Sequence, residues 1–309
     1  MNHSLQHDRE TIDVFHHPSR TALVLGGGGS TGNAWLIGVV AGLFEEGADV
    51  TKADVIIGTS AGSTAAAQIT GANPSDLFAD TLAAVSPQRT RPAHSSGARG
   101  AGGAVADHLD RTSRIIAASE DAADMRRRMG AAALEVDVPD GAGERWRAIV
   151  AARLPSQSWP QQDVLITAVD ARTGEPVVFD RFSGVDLVDA VAASCSSGFA
   201  YGIGDGRYID GGYRSNAENA DLAEGCARVL VLSPFGGRTL TPPSWGTNLA
   251  TQVDALRATG SRVETIFPQS DVEHLFGANA MDASLRAPAA RAGYDQGRAH
   301  AATLAEFGR

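Results

Sequence analysis

Ser60 has the local pattern in this chain that best suits a nucleophile. It is the centre of Gly58, Thr59, Ser60, Ala61 and Gly62, a G-x-S-x-G sequence. This pattern is typical of a nucleophile elbow, a sharp strand-to-helix turn that exposes a serine hydroxyl above the end of a sheet. Its glycines are needed because the strand and the helix pass close to each other at this turn, where a β-carbon would collide. A bare turn is the alternative interpretation, because glycine is abundant in this chain and short patterns recur by chance.

A glycine-rich segment at residues 26–32 (GGGGSTG) offers backbone N–H groups to an anion. Gly27, Gly29 and Gly32 fit the dinucleotide fingerprint, but the next strand lacks the acidic residue that would bind the ribose. A nucleotide-triphosphatase loop would need Gly-Lys-Ser/Thr, which does not follow. The favoured interpretation is an oxyanion hole, in which the N–H groups of Gly27, Gly28 and Gly29 stabilise the charge formed when the serine attacks an acyl group.

Alternating strands and helices position these motifs. Short apolar runs predict strands at residues 21–25, 55–57, 162–169, 176–180, 208–209 and 229–232. Helical spacing of apolar residues predicts, among others, helices at residues 33–46 and 107–129. Strands that alternate with helices indicate an α/β layered fold with a mainly parallel central sheet.

One domain accounts for most of the chain. Residues 1–20 are polar and predict a flexible N-terminal arm, and residues 21–309 form the domain. An insertion at about residues 86–145 is expected to lie over one end of the sheet. Its first part, residues 86–103, is rich in Pro, Ser, Gly and Arg and predicts a flexible connection.

Composition excludes several classes of protein. A formal net charge of −10 argues against a dedicated nucleic-acid binder. Cys195 and Cys226 form no disulfide framework or metal-ligand spacing, so we expect a reducing, cytoplasmic compartment and no metal. No apolar stretch has the length of a signal peptide or a membrane span. The three arginines at residues 126–128 suit a solvated helix end, or alternatively contact with anionic head groups at a membrane surface.

Three motifs in order resemble the patatin-like phospholipases, the lipid acyl hydrolase family. They are the glycine segment, the serine pattern and an Asp-Gly-Gly sequence at Asp210, which in isolation would be interpreted as a turn. Residues 193–197 (ASCSS) and 214–223 (RSNAENADLA) extend the resemblance. It implies a three-layer α/β/α patatin-like fold with a helical insertion. It also implies a Ser-Asp dyad, with Ser60 as nucleophile and Asp210 as its partner, and no histidine, metal or cofactor.

The implied chemistry agrees with the residues themselves. An aspartate within hydrogen-bonding reach can take the proton of a serine hydroxyl without a third member. The resulting acyl-enzyme is released by water that the same carboxylate activates. The resemblance implies ester substrates such as phospholipids, lysophospholipids or neutral acyl esters, as in a phospholipase A or a lysophospholipase.

Two positions depart from the family pattern, and two alternatives stay open. Thr31 stands where the family usually has Arg or Lys, so a positive charge near the oxyanion is missing. Residues 196–200 lack the usual proline and bulky apolar residues, which leaves the substrate class open. One alternative is an α/β-hydrolase-type esterase whose Ser-Asp-His triad uses His274 or His300. The other is a non-catalytic lipid-binding protein on the same scaffold.

Overall fold

One mixed sheet runs through the part of the molecule that the structure, a computed structural model, describes: residues 17–84, 101–304 and 307. Its strands are β1 (His17–Leu25), β2 (Val55–Gly58), β3 (Asp163–Asp170), β4 (Pro176–Phe179), β5 (Tyr201–Ile203), β6 (Gly206–Asp210), β7 (Cys226–Leu232) and β8 (Arg262–Ile266). They are ordered β5-β6-β3-β2-β1-β7-β8, and β4 also pairs with β3. The pairs β3–β2, β2–β1, β1–β7 and β7–β8 are parallel, whereas β3–β4, β3–β6 and β5–β6 are antiparallel.

Helices cover both faces of this sheet. They are α1 (Gly29–Glu45), α2 (Ala61–Ile69), α3 (Pro74–Ala83), α4 (Ala101–Ala117), α5 (Ala122–Leu134), α6 (Ala142–Ala151), α7 (Leu187–Ser194), α8 (Leu249–Ala258) and α9 (Arg286–Leu304). The predicted α/β/α layering with a mainly parallel sheet is confirmed.

Burial on both faces explains the continuous apolar run at residues 22–25, the second half of β1. Leu23 and Leu25 pack into one core with α1, α2, α7 and α9. Ala22 and Val24 point to the opposite face and pack into a second core with α8. Successive side chains of a strand alternate between faces, so a strand that is covered on both sides has no polar positions in its interior.

Helices α4 and α5, which belong to the predicted insertion, pack against β3 and β6. Ile116, Met125 and Met129 of these helices contact Val169 of β3 and Ile209 of β6 in a third apolar cluster. This cluster includes the strand that ends at Asp210. Helices α4 and α5 therefore lie next to the strand that carries Asp210, one of the two residues predicted to be catalytic.

Several predicted boundaries differ from the structure. The single helix predicted at residues 107–129 is wrong, because α4 ends at Ala117 and Asp121 starts a new helix by accepting the N–H of Asp124 at 2.7 Å. Helix α1 begins at Gly29, so the end of the glycine segment forms its first turn. Strand β1 begins at His17, inside the predicted arm. Strands β5 and β8 were not predicted. The rest of the arm and most of the predicted flexible connection lie outside the described residues.

Helices α1 and α9 pack backbone against backbone. Gly38 and Gly42 of α1 face α9, and Gly293 and Gly297 of α9 face α1. A β-carbon built at any of the four would overlap the main chain of the partner helix, as at Gly293, where it would meet the carbonyl oxygen of Trp35. Glycine is required here because of this close approach. The arrangement fixes the position of α9 against the helix that follows the glycine segment.

We predict that Gly293→Ala destabilises the protein by about 1 to 3 kcal/mol, because the added methyl group must separate α1 from α9. The loss should appear although alanine is intrinsically the better helix former. Urea unfolding measures it. Gly198→Ala is the control, since its β-carbon would have no atom within 4 Å and should be nearly neutral. Equal stability of Gly293→Ala and wild type would contradict the close packing.

Candidate active site

Ser60 lies at the turn between β2 and α2 in a strained backbone conformation. Its φ is 51° and its ψ is −117°, values that a non-glycine residue rarely adopts. Such a conformation costs about 1 to 3 kcal/mol and persists only where the surroundings hold it. Gly62 permits the turn, because a β-carbon there would overlap the carbonyl of Leu25 at the end of β1. The structure thus places residues 58–62 at a tight strand-to-helix turn.

The end of α7 and the first turn of α2 hold Ser60 in this conformation. The backbone N–H of Ser60 donates to Oγ of Ser194 at 2.9 Å. Its carbonyl accepts from Oγ of Ser63 at 2.6 Å and from Sγ of Cys195 at 3.1 Å. The stretch at residues 193–197, part of the family resemblance, therefore supports the strained turn directly.

Asp210, the last residue of β6, contacts Ser60. The Ser60 hydroxyl donates to Oδ2 of Asp210 at 2.7 Å, although 150 residues separate the two in the chain. Oδ1 accepts the N–H of Gly212 at 2.8 Å, and the Asp210 N–H donates to the carbonyl of Ser196 at 2.9 Å. The residue is only 7% exposed. These contacts aim one carboxylate oxygen at the serine and hold the other in place.

The burial of Asp210 changes its acidity. Burial raises the pKa of Asp210 to about 6, while hydrogen bonds from Gly212 and Ser60 oppose the rise. The carboxylate is therefore ionised at neutral pH, and it is a stronger base than a solvated aspartate. That combination suits a group that must accept a proton from a serine.

The two histidines of the triad alternative lie in other places. His274 is exposed on a short 3-10 helix, where its Nδ1 lies 3.1 Å from the carbonyl of Asp271. His300 lies in α9. Among the described residues, the hydrogen bonds of the Asp210 carboxylate come from Ser60 and Gly212. This geometry favours the dyad over the triad.

The glycine segment lies beside the serine. A β-carbon built on Gly27 would be 3.5 Å from Cβ of Ser60. The N–H of Gly27 donates to the carbonyl of Ala217 at 2.8 Å, so it is already engaged. Gly28 precedes α1 and Gly29 begins it, and no acceptor in the described part of the chain pairs with their N–H groups. The N–H groups of Gly28 and Gly29 are therefore available to a ligand.

A comparison with protein families matches residues 23–221 to the model described as Patatin-like phospholipase. The chain belongs to the patatin-like phospholipase family. The match includes the glycine segment, Ser60 and Asp210, and it covers more than half of the chain.

Two solved structures are similar to this patatin-like chain. They are the type III effector protein ExoU, with 16% identity and a TM-score of 0.39, and VipD from Legionella pneumophila, with 13% identity and a TM-score of 0.40. Each match covers 93% of this chain, which spans 54% of the ExoU chain and 66% of the VipD chain. No curated protein matches it in sequence. The family assignment therefore rests on the family model.

A basic side chain does lie beside the glycine segment of this patatin-like protein, but it comes from α9. Thr31 itself is fully buried, and its hydroxyl has no hydrogen-bond partner among the described residues. Arg286 donates to the carbonyl of Ser30 at 2.7 Å and to Oδ1 of Asn33 at 3.2 Å. Burial lowers the pKa of Arg286, yet a guanidinium keeps its charge at neutral pH. Arg286 was not predicted from the sequence, because 256 positions separate it from Ser30.

We predict that Arg286→Gln lowers kcat about tenfold with little change in KM, because the first turn of α1 loses the contact that orients the N–H groups of Gly28 and Gly29. Steady-state kinetics on a short-chain p-nitrophenyl ester provide the measurement. Arg286→Lys should restore part of the activity. Arg291→Gln, an exposed change one turn further along α9, is the control. Wild-type kcat in folded Arg286→Gln protein would show that the contact is dispensable.

Asn219 joins the serine turn to the aspartate turn. Its Nδ2 donates to Oγ1 of Thr59 at 3.0 Å and to the carbonyl of Gly211 at 2.9 Å. Its φ of 56° is the left-handed conformation that asparagine tolerates better than most residues. Asn219 was not predicted from the sequence to act in the site. Its position in the stretch at residues 214–223 was the signal that could have found it.

Glu218 lies under the glycine segment with a buried carboxyl group. Oγ of Ser233 donates to its Oε1 at 2.6 Å, whereas its Oε2 is buried and has no partner in the described part of the chain. Burial raises the pKa of Glu218 from 4.5 to about 7. The folded protein therefore holds the proton of Glu218 more tightly than the unfolded chain does. The stability that the protonated Glu218 contributes is fully present below pH 4.5 and is lost as the pH rises through about 7.

The three arginines of α5 make internal contacts. Arg126 donates to the carbonyls of Gly174 at 2.8 Å and Arg214 at 3.1 Å. Its two neighbours pair with Asp124. In the described ranges, no helix is both long and apolar enough to cross a membrane. Contact of this run with anionic head groups stays a prediction.

Proposed function

We propose that the protein is a serine lipid acyl hydrolase that cleaves carboxylic esters of phospholipids or related lipids through an acyl-enzyme on Ser60. The observation that carries this proposal is the 2.7 Å hydrogen bond from the Ser60 hydroxyl to the buried carboxylate of Asp210. Membership of the patatin-like phospholipase family supports a lipid ester as substrate. The strained turn supports the choice of Ser60, because strain of this kind is concentrated at functional sites.

The proposed reaction begins when Oδ2 of Asp210 takes the hydroxyl proton of Ser60. The oxygen attacks the ester carbonyl, and the negative charge that develops faces the N–H groups of Gly28 and Gly29 and the N-terminus of α2. The intermediate then breaks its bond to the alcohol, which leaves with the proton that Asp210 held. Water then attacks the acyl-enzyme while the same carboxylate takes its proton. The bond between the acyl group and Oγ of Ser60 breaks, Oγ receives that proton, and the fatty acid is released.

The proposal also covers the type of lipid ester and the place in the cell where the enzyme acts. We expect an activity of the phospholipase A or lysophospholipase type in a cytoplasmic protein. Such lipids are presented at surfaces, so the proposal includes peripheral contact with a membrane. The proposed reaction requires no metal or cofactor, because every step is carried out by the side chains of Ser60 and Asp210 and by backbone N–H groups.

We predict that Ser60→Ala and Asp210→Asn each lower ester hydrolysis by roughly four orders of magnitude in folded protein. The first removes the nucleophile, and the second removes the proton acceptor while it preserves the shape of the side chain. Hydrolysis of p-nitrophenyl butyrate gives the rates, and a fluorophosphonate probe shows whether Ser60 is reactive. Asp205→Asn is the matched control, since Asp205 is exposed in the turn before β6.

Histidine variants separate the dyad from the triad. His274→Ala and His300→Ala should keep most of the activity, because neither residue contacts the Asp210 carboxylate. Loss of activity in either folded variant would contradict the dyad. A wild-type protein that neither hydrolyses the ester nor reacts with the probe would favour the non-catalytic lipid-binding alternative.

The pH dependence of the reaction should follow Asp210. Its carboxylate is the active form and its pKa is about 6, so kcat/KM should be constant above pH 7 and about tenfold lower at pH 5 than at pH 8. Initial rates at low substrate concentration across pH 4.5 to about 8.5 measure the profile. A profile without an inflection between about pH 5 and 7 would contradict the assignment of Asp210 as the base.

A further inference from the structure

The segment between β8 and α9 packs against the start of α1. The ring of Phe276 meets the ring of Trp35 edge to face, with the two centroids 6.3 Å apart. Four residues later in this segment, the carbonyl of Ala280 accepts the N–H of Thr31 at 3.0 Å. Both contacts reach the first two turns of α1, so they fix the position of the next residue, Met281, relative to the glycine segment.

Met281 lies against Gly29, one of the two proposed oxyanion donors. A β-carbon built on Gly29 would lie 3.0 Å from Sδ of Met281. The nitrogen and the β-carbon of one residue are about 2.5 Å apart, so the sulfur lies within about 5.5 Å of the Gly29 nitrogen. The φ of Gly29 is 64°, a left-handed conformation that glycine adopts without strain. The thioether of Met281 is therefore a neighbour of the place where the negative charge of the proposed reaction develops.

Met281 is also open to solvent. It is 58% exposed, whereas Met125 and Met129, the other methionines of the described ranges, are 2% and 5% exposed. Burial raises the pKa of the Cys195 thiol to about 11 and also raises that of Cys226, so both thiols stay protonated at neutral pH. A protonated thiol reacts slowly with an oxidant, because the thiolate is the reactive form. A small oxidant in solution therefore meets the sulfur of Met281 before the other sulfur atoms of the described residues.

A hydroperoxide changes the chemistry of such a side chain. It transfers one oxygen atom to the sulfur: the O–O bond breaks, an S–O bond forms, the thioether is oxidised to a sulfoxide, and the peroxide is reduced to water or an alcohol. A thioether is only a weak acceptor of hydrogen bonds, whereas the oxygen of the polar sulfoxide is a strong one. Beside Gly29, that oxygen would compete with the substrate for the backbone N–H.

We propose that Met281 is an oxidation site that controls the enzyme: a hydroperoxide converts its thioether to a sulfoxide, whose oxygen accepts the N–H of Gly29 and withdraws that donor from the reaction. The inference rests on the proposed function and adds to it a modified residue and the chemical class of its reactant. Reduction of the sulfoxide returns the donor, so the change is reversible.

Treatment of the protein with hydrogen peroxide tests the site. Oxidised wild-type protein should lose at least about tenfold in kcat on p-nitrophenyl butyrate with little change in KM, because one oxyanion donor is withdrawn. Peptide mass spectrometry should place one added oxygen atom on Met281. Methionine sulfoxide reductase should restore the rate, whereas a thiol reductant alone should not.

Met281→Leu separates this sulfur from the other oxidisable groups. For each protein, kcat after peroxide treatment is divided by kcat before it, and the ratio should stay near one in Met281→Leu because leucine has no sulfur. An equal loss in folded Met281→Leu and in wild type would place the damage at another group, such as Cys195, and would overturn the proposal. An unchanged rate in wild-type protein that carries the sulfoxide at position 281 would overturn it as well.

Met281→Gln imitates the oxidised side chain without peroxide, because its amide oxygen is a neutral acceptor at a similar distance from the backbone. Its kcat should be about tenfold or more below that of wild type, again with little change in KM. Ile149→Gln is the matched control, since Ile149 is 47% exposed on α6, and it should keep the wild-type kcat. Wild-type kcat in folded Met281→Gln protein would show that an acceptor at this position does not reach the donor, and the proposal would be wrong.

Failure of the proposed function gives a different result. Wild-type protein that has not been oxidised would then neither hydrolyse the ester nor react with a fluorophosphonate. The added oxygen on Met281 can still be measured by mass spectrometry in that case, so the two failures are distinguishable.

Discussion

The rest of the site depends on the strained conformation of one residue, Ser60. A φ of 51° is unfavourable for serine, so the turn exists only because other segments hold it. The hydroxyl of Ser194 accepts its N–H, Ser63 and Cys195 donate to its carbonyl, and Asp210 accepts its hydroxyl proton. These partners lie at the ends of three different elements. The order of the sheet therefore matters for chemistry, because β6 must lie close enough to β2 to bring Asp210 to the serine.

The region beyond the family match also shapes the site. The matched residues end at 221, yet β7 pairs with β1 and α9 packs against α1. Arg286 begins α9 and holds the carbonyl of Ser30 in the first turn of α1. An arginine from a distant helix thus contacts the segment in which the resemblance predicts a basic residue at position 31. Two different positions in the chain can place a positive charge beside the same loop.

The sequence was sufficient for the fold class, and it singled out the two residues that the structure brings into contact, because Ser60 and Asp210 each lie in short motifs with strong local constraints. It was insufficient where the signal was not local. Arg286 and Asn219 act through partners far away in the chain, and no spacing rule links them. Helix α1 was predicted to start at residue 33, where the apolar spacing begins. In the structure it starts at Gly29, where tertiary contacts override the low helix propensity of glycine. Strand β8 is short and partly polar, so its alternation was too weak to predict it.

The close packing of α1 with α9 has a consequence for biosynthesis. During synthesis, α1 leaves the ribosome early. Its partner helix α9 emerges only after roughly 250 further residues, because 256 positions separate Ser30 from Arg286. Contacts between such distant segments form late in folding, since the intervening chain must first be ordered. The nascent chain therefore carries its serine well before the loop beside it receives its last support. Until α9 has been made, the glycine segment beside Ser60 therefore lacks its contact with Arg286.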